Sequence, residues 1–146
     1  MKELSADEID EMLIRNGIGV LGLAQDGQPY TIPMSFGYDG EEMAFPMQWG
    51  TGYGGRKERY VEKNQKASFT VYEKDADNPQ LWRSIVMTGT LYKIEAEDQE
   101  RAFASLAANA EFAPDFGVWG IPFEDVEFQL YGFSVTERTG RAFSLE

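Results

Sequence analysis

Two Asp-Gly pairs, Asp26-Gly27 and Asp39-Gly40, most constrain what this chain can fold into, because each stands between two apolar runs. Asp-Gly favours the mirror-image two-residue turns that match the twist of antiparallel strands. Residues 18–24, 28–38 and 43–48 therefore read as a three-strand meander. The first run, Ile-Gly-Val-Leu-Gly-Leu-Ala, is apolar on both parities, which predicts a strand buried on both faces. The second carries Pro29 and Pro33, and proline in a strand predicts an edge or a bulge.

The remaining segments fit around that meander. Ser5 and Glu8 form a capping-box pattern, with Ile9, Met12 and Leu13 on one face and Gly17 as the stop, so a helix opens the chain. Residues 56–63 read as a short helix after the glycine-rich stretch Gly50, Gly52, Gly54 and Gly55. Residues 66–73 alternate through Ala67, Phe69 and Val71, and residues 81–94 form a long strand with Gly89 as a bend. A helix is predicted over 97–110 with Phe103 and Leu106 inward, then a loop over 111–123. At the end Val126, Phe128 and Leu130 alternate on one parity and Tyr131, Phe133 and Val135 on the other. That phase slip predicts a bulge near Gly132. Meandering hairpins with few helices predict one mainly β domain over 1–146, an antiparallel barrel with helical trimmings.

Composition narrows the chemistry. The chain has no cysteine and no histidine, so it has no thiol nucleophile and lacks the commonest general base and metal ligand. Redox chemistry would have to come from a bound organic cofactor. The Asp/Glu pairs Glu41-Glu42, Asp75/Asp77 and Glu124-Asp125 fall in turns or flanks and read as solvated, so no metal site is expected. Met34, Met43, Met47 and Met87 read as core fillers. With 25 acidic and 13 basic residues the net charge is −12, which lacks the basic footprint of a nucleic-acid binder. The acid is spread along the chain, as in a protein kept soluble at high salt or in an ordinary acidic cytosolic protein. No apolar run is long enough for a bilayer and the N-terminal segment is polar, so a cytoplasmic protein is expected.

Three segments could carry binding. The glycine-rich stretch feeding Arg56 and Lys57 places two cations at a helix N-terminus, where they oppose the dipole unless an anion sits between them. A flexible loop before a solvated basic helix fits the same residues. Tyr30-Thr-Ile-Pro-Met-Ser-Phe36 is a proline-interrupted strand whose free backbone groups can meet the polar edge of a heterocycle, or whose prolines simply protect an edge. Trp82, Arg83 and Ser84 offer a stacking face, an anion fork and a donor, or a stacked pair on a barrel rim.

In order along nearly the whole chain, these features resemble the pyridoxamine 5'-phosphate oxidase-like FMN-binding split barrels, in particular the short branch that includes nitroimidazole-resistance proteins. The resemblance rests on Gly-Ile-Gly-Val-Leu-Gly-Leu-Ala, Gln-Pro-Tyr-Thr-Ile-Pro-Met-Ser-Phe-Gly-Tyr, Gly55-Arg56-Lys57, Trp82-Arg83-Ser84-Ile85-Val86 and Thr139-Gly140-Arg141. It implies a six-stranded antiparallel split β-barrel with flanking helices that binds FMN. It implies that Arg56 and Lys57 grip the phosphate. Pro33, Met34, Ser35 and Phe36 would offer backbone to the isoalloxazine ring, with Met47 and Gln48 beside it. Trp82, Arg83 and Ser84 would approach from a second subunit, which makes the protein a homodimer with the flavin at its interface. The activity implied is oxidation or reduction of an unidentified small molecule, with no catalytic side chain assigned. A non-catalytic flavin-binding or storage module, or the same barrel holding a deazaflavin or haem, are the alternatives. The nitroimidazole-resistance branch usually has a histidine after the aromatic of the third strand, where this chain has Pro46 after Phe45. The longer oxidases carry Arg-x-His near the C-terminus, and only Arg138 and Arg141 occur here. Neither nitroimidazole reduction nor vitamin B6 oxidation is therefore implied.

Overall fold

The computed structural model describes residues 1–48, 56–108 and 128–145. The predicted glycine-rich stretch 50–55, the loop 111–123 and Val126 lie outside these residues. Helix α1, Ala6–Arg15, begins as its sequence dictates: the Glu8 amide donates to Ser5 Oγ at 3.2 Å and the Ser5 amide to Glu8 Oε1 at 3.1 Å. Its apolar face buries Ile9, Met12 and Leu13. Strands β2, Ile18–Gln25, and β3, Gln28–Ser35, pair around Asp26 and Gly27, which take φ of 50° and 79°. Those left-handed angles are what a two-residue mirror-image turn requires. The short strand β4, Gly37–Tyr38, pairs with β5, Met43–Gln48. Then come α2, Arg56–Lys63; β6, Lys66–Lys74; β7, Leu81–Lys93; a 3-10 turn, Ala96–Asp98; α3, Gln99–Ala107; and β8, Phe128–Ser144. A two-residue strand β1, Lys2–Glu3, pairs with β8.

The strand order is β3-β2-β6-β7-β8-β5-β4, all antiparallel, with β1 beside β8. The six predicted strands are present. The second is divided at Phe36 into β3 and β4, and β1 is added. This division closes the barrel. The two ends of the strand path, β3 and β4, are successive parts of one segment, so residues 28–38 pair with β2 first and β5 last. Inside lie Leu21, Leu23, Met34, Phe36, Phe45, Met47, Phe69, Val71, Ile85 and Met87, all buried. Phe69 is the centre: its ring centroid is 5.2 Å from Phe36 and 4.8 Å from Phe45, both edge-on.

Two local expectations need correction. The bulge is not near Gly132. The β7–β8 register shifts between Thr88 and Gly89, where Thr88 faces Glu137 and Gly89 faces Val135, leaving Thr136 as the extra residue. The phase slip at Gly132 reflects burial on both faces of β8. Tyr131 and Phe133 enter the main core, and Leu130 joins Ala44, Ile94, Ala102 and Leu106 in a second cluster with α3. Gly132 leaves room for Tyr92: a Cβ there would lie 2.2 Å from Tyr92 Cζ. The second correction concerns β2, which is buried on one face. Leu21 and Leu23 are inside, whereas Ile18 on the other parity is 49% exposed. No other described element covers that outer face.

A polar lock ties the closing segment to α1 and β8. Tyr38 donates from its hydroxyl to Asp10 Oδ1 at 2.6 Å, and Arg138 Nη1 donates to the same oxygen at 2.8 Å. The Arg138 bond, helped by Tyr38, holds the Asp10 carboxyl below the usual value of 3.8. Burial, with the adjacent Asp10, pushes the Tyr38 hydroxyl up. A lowered folded-state carboxyl stabilises the fold above its ordinary value and loses that effect as pH falls through the lowered one. Asp10→Asn is therefore expected to lower the melting temperature at pH 7 by roughly 2–6 °C. In melts from pH 7 to 2 the gap between variant and parent should shrink below pH ~4. A gap that is constant with pH would show that the charge of Asp10 contributes nothing.

Candidate functional site

The open side of β3 follows from its hairpin. Gln25 faces Gln28 across the two-residue turn, so residues 28, 30, 32 and 34 exchange hydrogen bonds with β2. The Phe36 amide continues the series, donating to the Gly17 carbonyl at 3.0 Å. Residues 29, 31, 33 and 35 consequently turn their backbone groups away from β2. Pro29 and Pro33 occupy two of those positions, where no amide is needed for the ladder. Thr31 and Ser35 occupy the others. β3 thus presents two amide donors and four carbonyls along an edge that prolines protect from another strand.

Helix α2 packs on β2 and reaches this strand through Tyr30. Arg56 places its Cζ 5.4 Å from the Tyr30 ring centroid, and the Tyr60 ring lies 5.2 Å from Tyr30, tilted by 43°. Arg56 and Tyr60 are one helical turn apart, so a single face of α2 meets Tyr30 with both side chains. Asn64, just past the helix, donates to the Ala24 carbonyl at 3.1 Å. Arg56 and Arg59 are exposed and Lys57 is half-buried.

The ion pairs single out this helix. The chain has seven arginines. Arg15, Arg83, Arg101, Arg138 and Arg141 each have a carboxylate oxygen within 4.0 Å. Among the described residues, Arg56 and Arg59 have none. In a chain with 25 carboxylates, two arginines on one helix without a carboxylate partner among the described residues depart from the pattern of the other five.

The predicted site residues separate into two groups. Pro33 and Ser35 lie on the β3 edge, while Met34, Phe36 and Met47 point into the core, at 5%, 0% and 0% exposure. These three side chains are taken up by the core, and the Met34 backbone and the Phe36 amide are taken up on the β2 side, so the open backbone of this stretch is that of Pro33 and Ser35. Gln48 ends β5 opposite Phe128, and its side chain lies outside the described residues. Arg56 joins β3 through Tyr30. Trp82, Arg83 and Ser84 stand elsewhere. The register runs Pro33–Val20–Thr70–Val86 across β3, β2, β6 and β7, three strand spacings or about 14 Å, and Ser84 is two residues farther along β7. One protomer does not bring these groups together.

Arg83 is also committed. Its Nη2 lies 2.8 Å from Asp75 and 3.5 Å from Glu73, and Arg15 Nε donates to the same Glu73 at 2.9 Å. The Arg83 bond holds the Asp75 carboxyl below the usual range, and the carboxylates hold Arg83 fully protonated. Trp82 is half-buried with the Lys74 ammonium 5.2 Å from its ring centroid. Ser84 faces Tyr72 on one side and Arg141 on the other. Of the C-terminal arginines, Arg138 belongs to the lock with Asp10, while Arg141 is exposed.

Sequence reasoning placed Tyr30 in a candidate segment for its backbone only, and did not single out Tyr60 or Arg59. The spacing of Arg56 and Tyr60 was a signal, but nothing local indicates that their shared face meets Tyr30.

A family model described as pyridoxamine 5'-phosphate oxidase matches residues 5–142. No curated protein matches the sequence. Among solved structures, a FAD-binding protein from Mesorhizobium loti is 21% identical, with a TM-score of 0.77 over 98% of each chain. A Bacteroides thetaiotaomicron protein provisionally assigned to 5-nitroimidazole antibiotic resistance is 16% identical, with a TM-score of 0.67 over 97% of this chain and 88% of that one. A heme binding protein from Mycobacterium smegmatis is 16% identical, with a TM-score of 0.69 over 99% of this chain and 60% of that one. At these identities the likeness establishes the fold, an antiparallel sheet curled into a split barrel.

Proposed function

We propose that this chain, which belongs to the pyridoxamine 5'-phosphate oxidase family, is a flavin-binding protein that holds FMN along the β3 edge and acts as an oxidoreductase on a small molecule. The observation that carries this reading is Arg56 at the head of α2, set against Tyr30 of β3 and, like Arg59, without a carboxylate partner among the described residues. A phosphoryl group takes in-plane bonds from a guanidinium and is favoured near the positive end of a helix. The Thr31 and Ser35 amides are free to donate to the acceptors of a heterocycle. A bound flavin supplies the electron transfer that a chain without histidine or cysteine cannot. The described residues fit that group: a cationic end, a polar backbone edge, and apolar core behind it.

The named relatives include a FAD-binding and a heme binding protein. Flavin is favoured over haem here because the chain lacks both histidine and cysteine, the usual strong iron ligands. The absorbance spectrum of the freshly isolated protein separates the two. A flavin spectrum bleached by NAD(P)H supports turnover, whereas one inert to every donor supports a storage role. The double variant Arg56→Ala, Lys57→Ala is expected to weaken FMN binding roughly 10- to 100-fold, from two charge-assisted contacts partly screened by solvent. Unchanged affinity in a flavin titration would remove the phosphate assignment.

The same reading includes a homodimer. Ile18, Tyr72, Val86 and Phe143 stand on the outer face of β2, β6, β7 and β8 at 49%, 62%, 45% and 36% exposure. Beside them a groove of about 530 Å³ has a floor of small residues, among them Gly22, Ala24, Ser68 and Thr88. Projecting and hollow regions on one face suit an isologous contact. Trp82 and Ser84 lie on this face too, so a second copy is the means by which they could reach the β3 edge. Val86→Glu, a charge in the middle of the face, is expected to give a monomer by light scattering and to weaken flavin binding. A dimer that survives it would place the interface elsewhere.

We further infer that the charge of −12 is a salt adaptation. Raising salt from 0.1 to 1 M shortens the Debye length from about 10 to about 3 Å, which screens repulsion within and between acidic subunits. The melting temperature with FMN present is expected to rise across that range in potassium chloride. A flat or falling series would exclude the adaptation.

A further inference from the structure

Five arginines of this chain each have a carboxylate oxygen within 4.0 Å, whereas Arg56 lies over a ring. The difference has a chemical consequence. A carboxylate takes up the in-plane N–H edges of a guanidinium and cancels its charge. An aromatic face meets the flat side, restrains the group, and leaves those edges and the charge free. Tyr30 is itself fixed. It sits in the β2–β3 ladder opposite Leu23, packs against the main core, and touches the Tyr60 ring. It also lies between Pro29 and Thr31, two of the residues whose backbone forms the open edge, so one residue couples the head of α2 to that edge.

We propose that Tyr30 is a positioning residue that holds the Arg56 guanidinium, flat side against its ring, ready to bind a phosphoryl group in plane. The proposal rests on the phosphate reading of Arg56 given above and adds what selects for a phosphorylated flavin. An unrestrained exposed arginine would lose conformational freedom on binding a phosphate. One already held over a rigid ring loses less, and among the described residues no carboxylate stands within 4.0 Å to neutralise it.

The test compares FMN with riboflavin, which lacks the phosphate, by fluorescence titration of the folded full chain. The parent should bind FMN more tightly. Tyr30→Ile keeps a bulky strand-forming side chain but removes the ring, and should lower FMN affinity about 3- to 10-fold with riboflavin affinity unchanged. Tyr30→Phe keeps the ring and should keep the FMN preference. Should Tyr30→Ile fail to fold, Tyr30→Leu takes its place, with folding checked by thermal melts. Loss of both flavins in equal proportion would show a merely structural Tyr30 and overturn the proposal, as would an undiminished FMN preference. A parent without any FMN preference would instead remove the phosphate reading of Arg56 itself. Arg56→Ala separates these cases, because it should abolish the preference whenever the phosphate reading holds.

Discussion

One segment must serve both ends of the sheet, and the rest of the structure depends on how residues 28–38 do so. At Phe36 the chain leaves its pairing with β2 and takes up pairing with β5. The corner is held by an amide bonded to the Gly17 carbonyl and by a ring buried edge-on against Phe69. Just beyond it, Tyr38 is locked to Asp10 and Arg138. Because β4 is only two residues long, the closure occupies only the end of the segment. The β3 portion keeps one side unpaired. A barrel closed along its full length would have no such edge. The split is therefore the structural origin of the candidate site.

Charge distribution reinforces the assignment. An acidic protein has carboxylates to spare for each guanidinium, and most of its arginines take them. Arg83 gathers two, Arg101 gathers three at the α3 docking surface, and Arg138 clamps α1 to β8. These pairs join elements distant in sequence, and their partly exposed setting limits what each contributes to stability. Against that background the exposed guanidinium of Arg56, resting on Tyr30, is out of pattern. The helix start opposes positive charge, so its presence there is unfavourable without a counter-anion. Arg59 in the same first turn shares that tension, whereas the other five arginines each have a carboxylate oxygen within 4.0 Å.

Much of the fold was legible because its signals are local. The capping box of α1, the Asp-Gly turns, the alternation of β6 and the prolines of an edge strand each depend on a few adjacent residues. Misreadings arose where the decisive neighbour was remote. Leu130 and Tyr131 point to opposite sides and are both buried, which period-two reasoning can only interpret as a slip. The missing information is the cover that α3 places over one side. The apolar second parity of β2 was equally legible, but no described part of the chain buries it. The site was half legible. Arg56 and Pro33 carry their own signatures, whereas the meeting of Arg56 with Tyr30 depends on how α2 packs on β2. Arg83 reads as an anion fork until β6 brings Glu73 and Asp75 beside it.

The division between backbone and side chain at the site also has a physical reason. The side chains of Met34, Phe36 and Met47 are consumed by the core, so along β3 the polar resource is the main chain itself. Main-chain donors on a strand are spaced and oriented by the ladder on their other side, and so need no side-chain ordering to become a binding edge. Side chains are needed only where charge is required, and there the chain supplies arginine restrained by a ring. On the proposed reading such a site would hold and orient a planar polar group with a phosphoryl tail, and the chain has no histidine or cysteine to move protons there. On that reading the reaction draws its chemistry from the bound group and its selectivity from the walls, to which the proposed second copy would add across the outer face of β2, β6, β7 and β8.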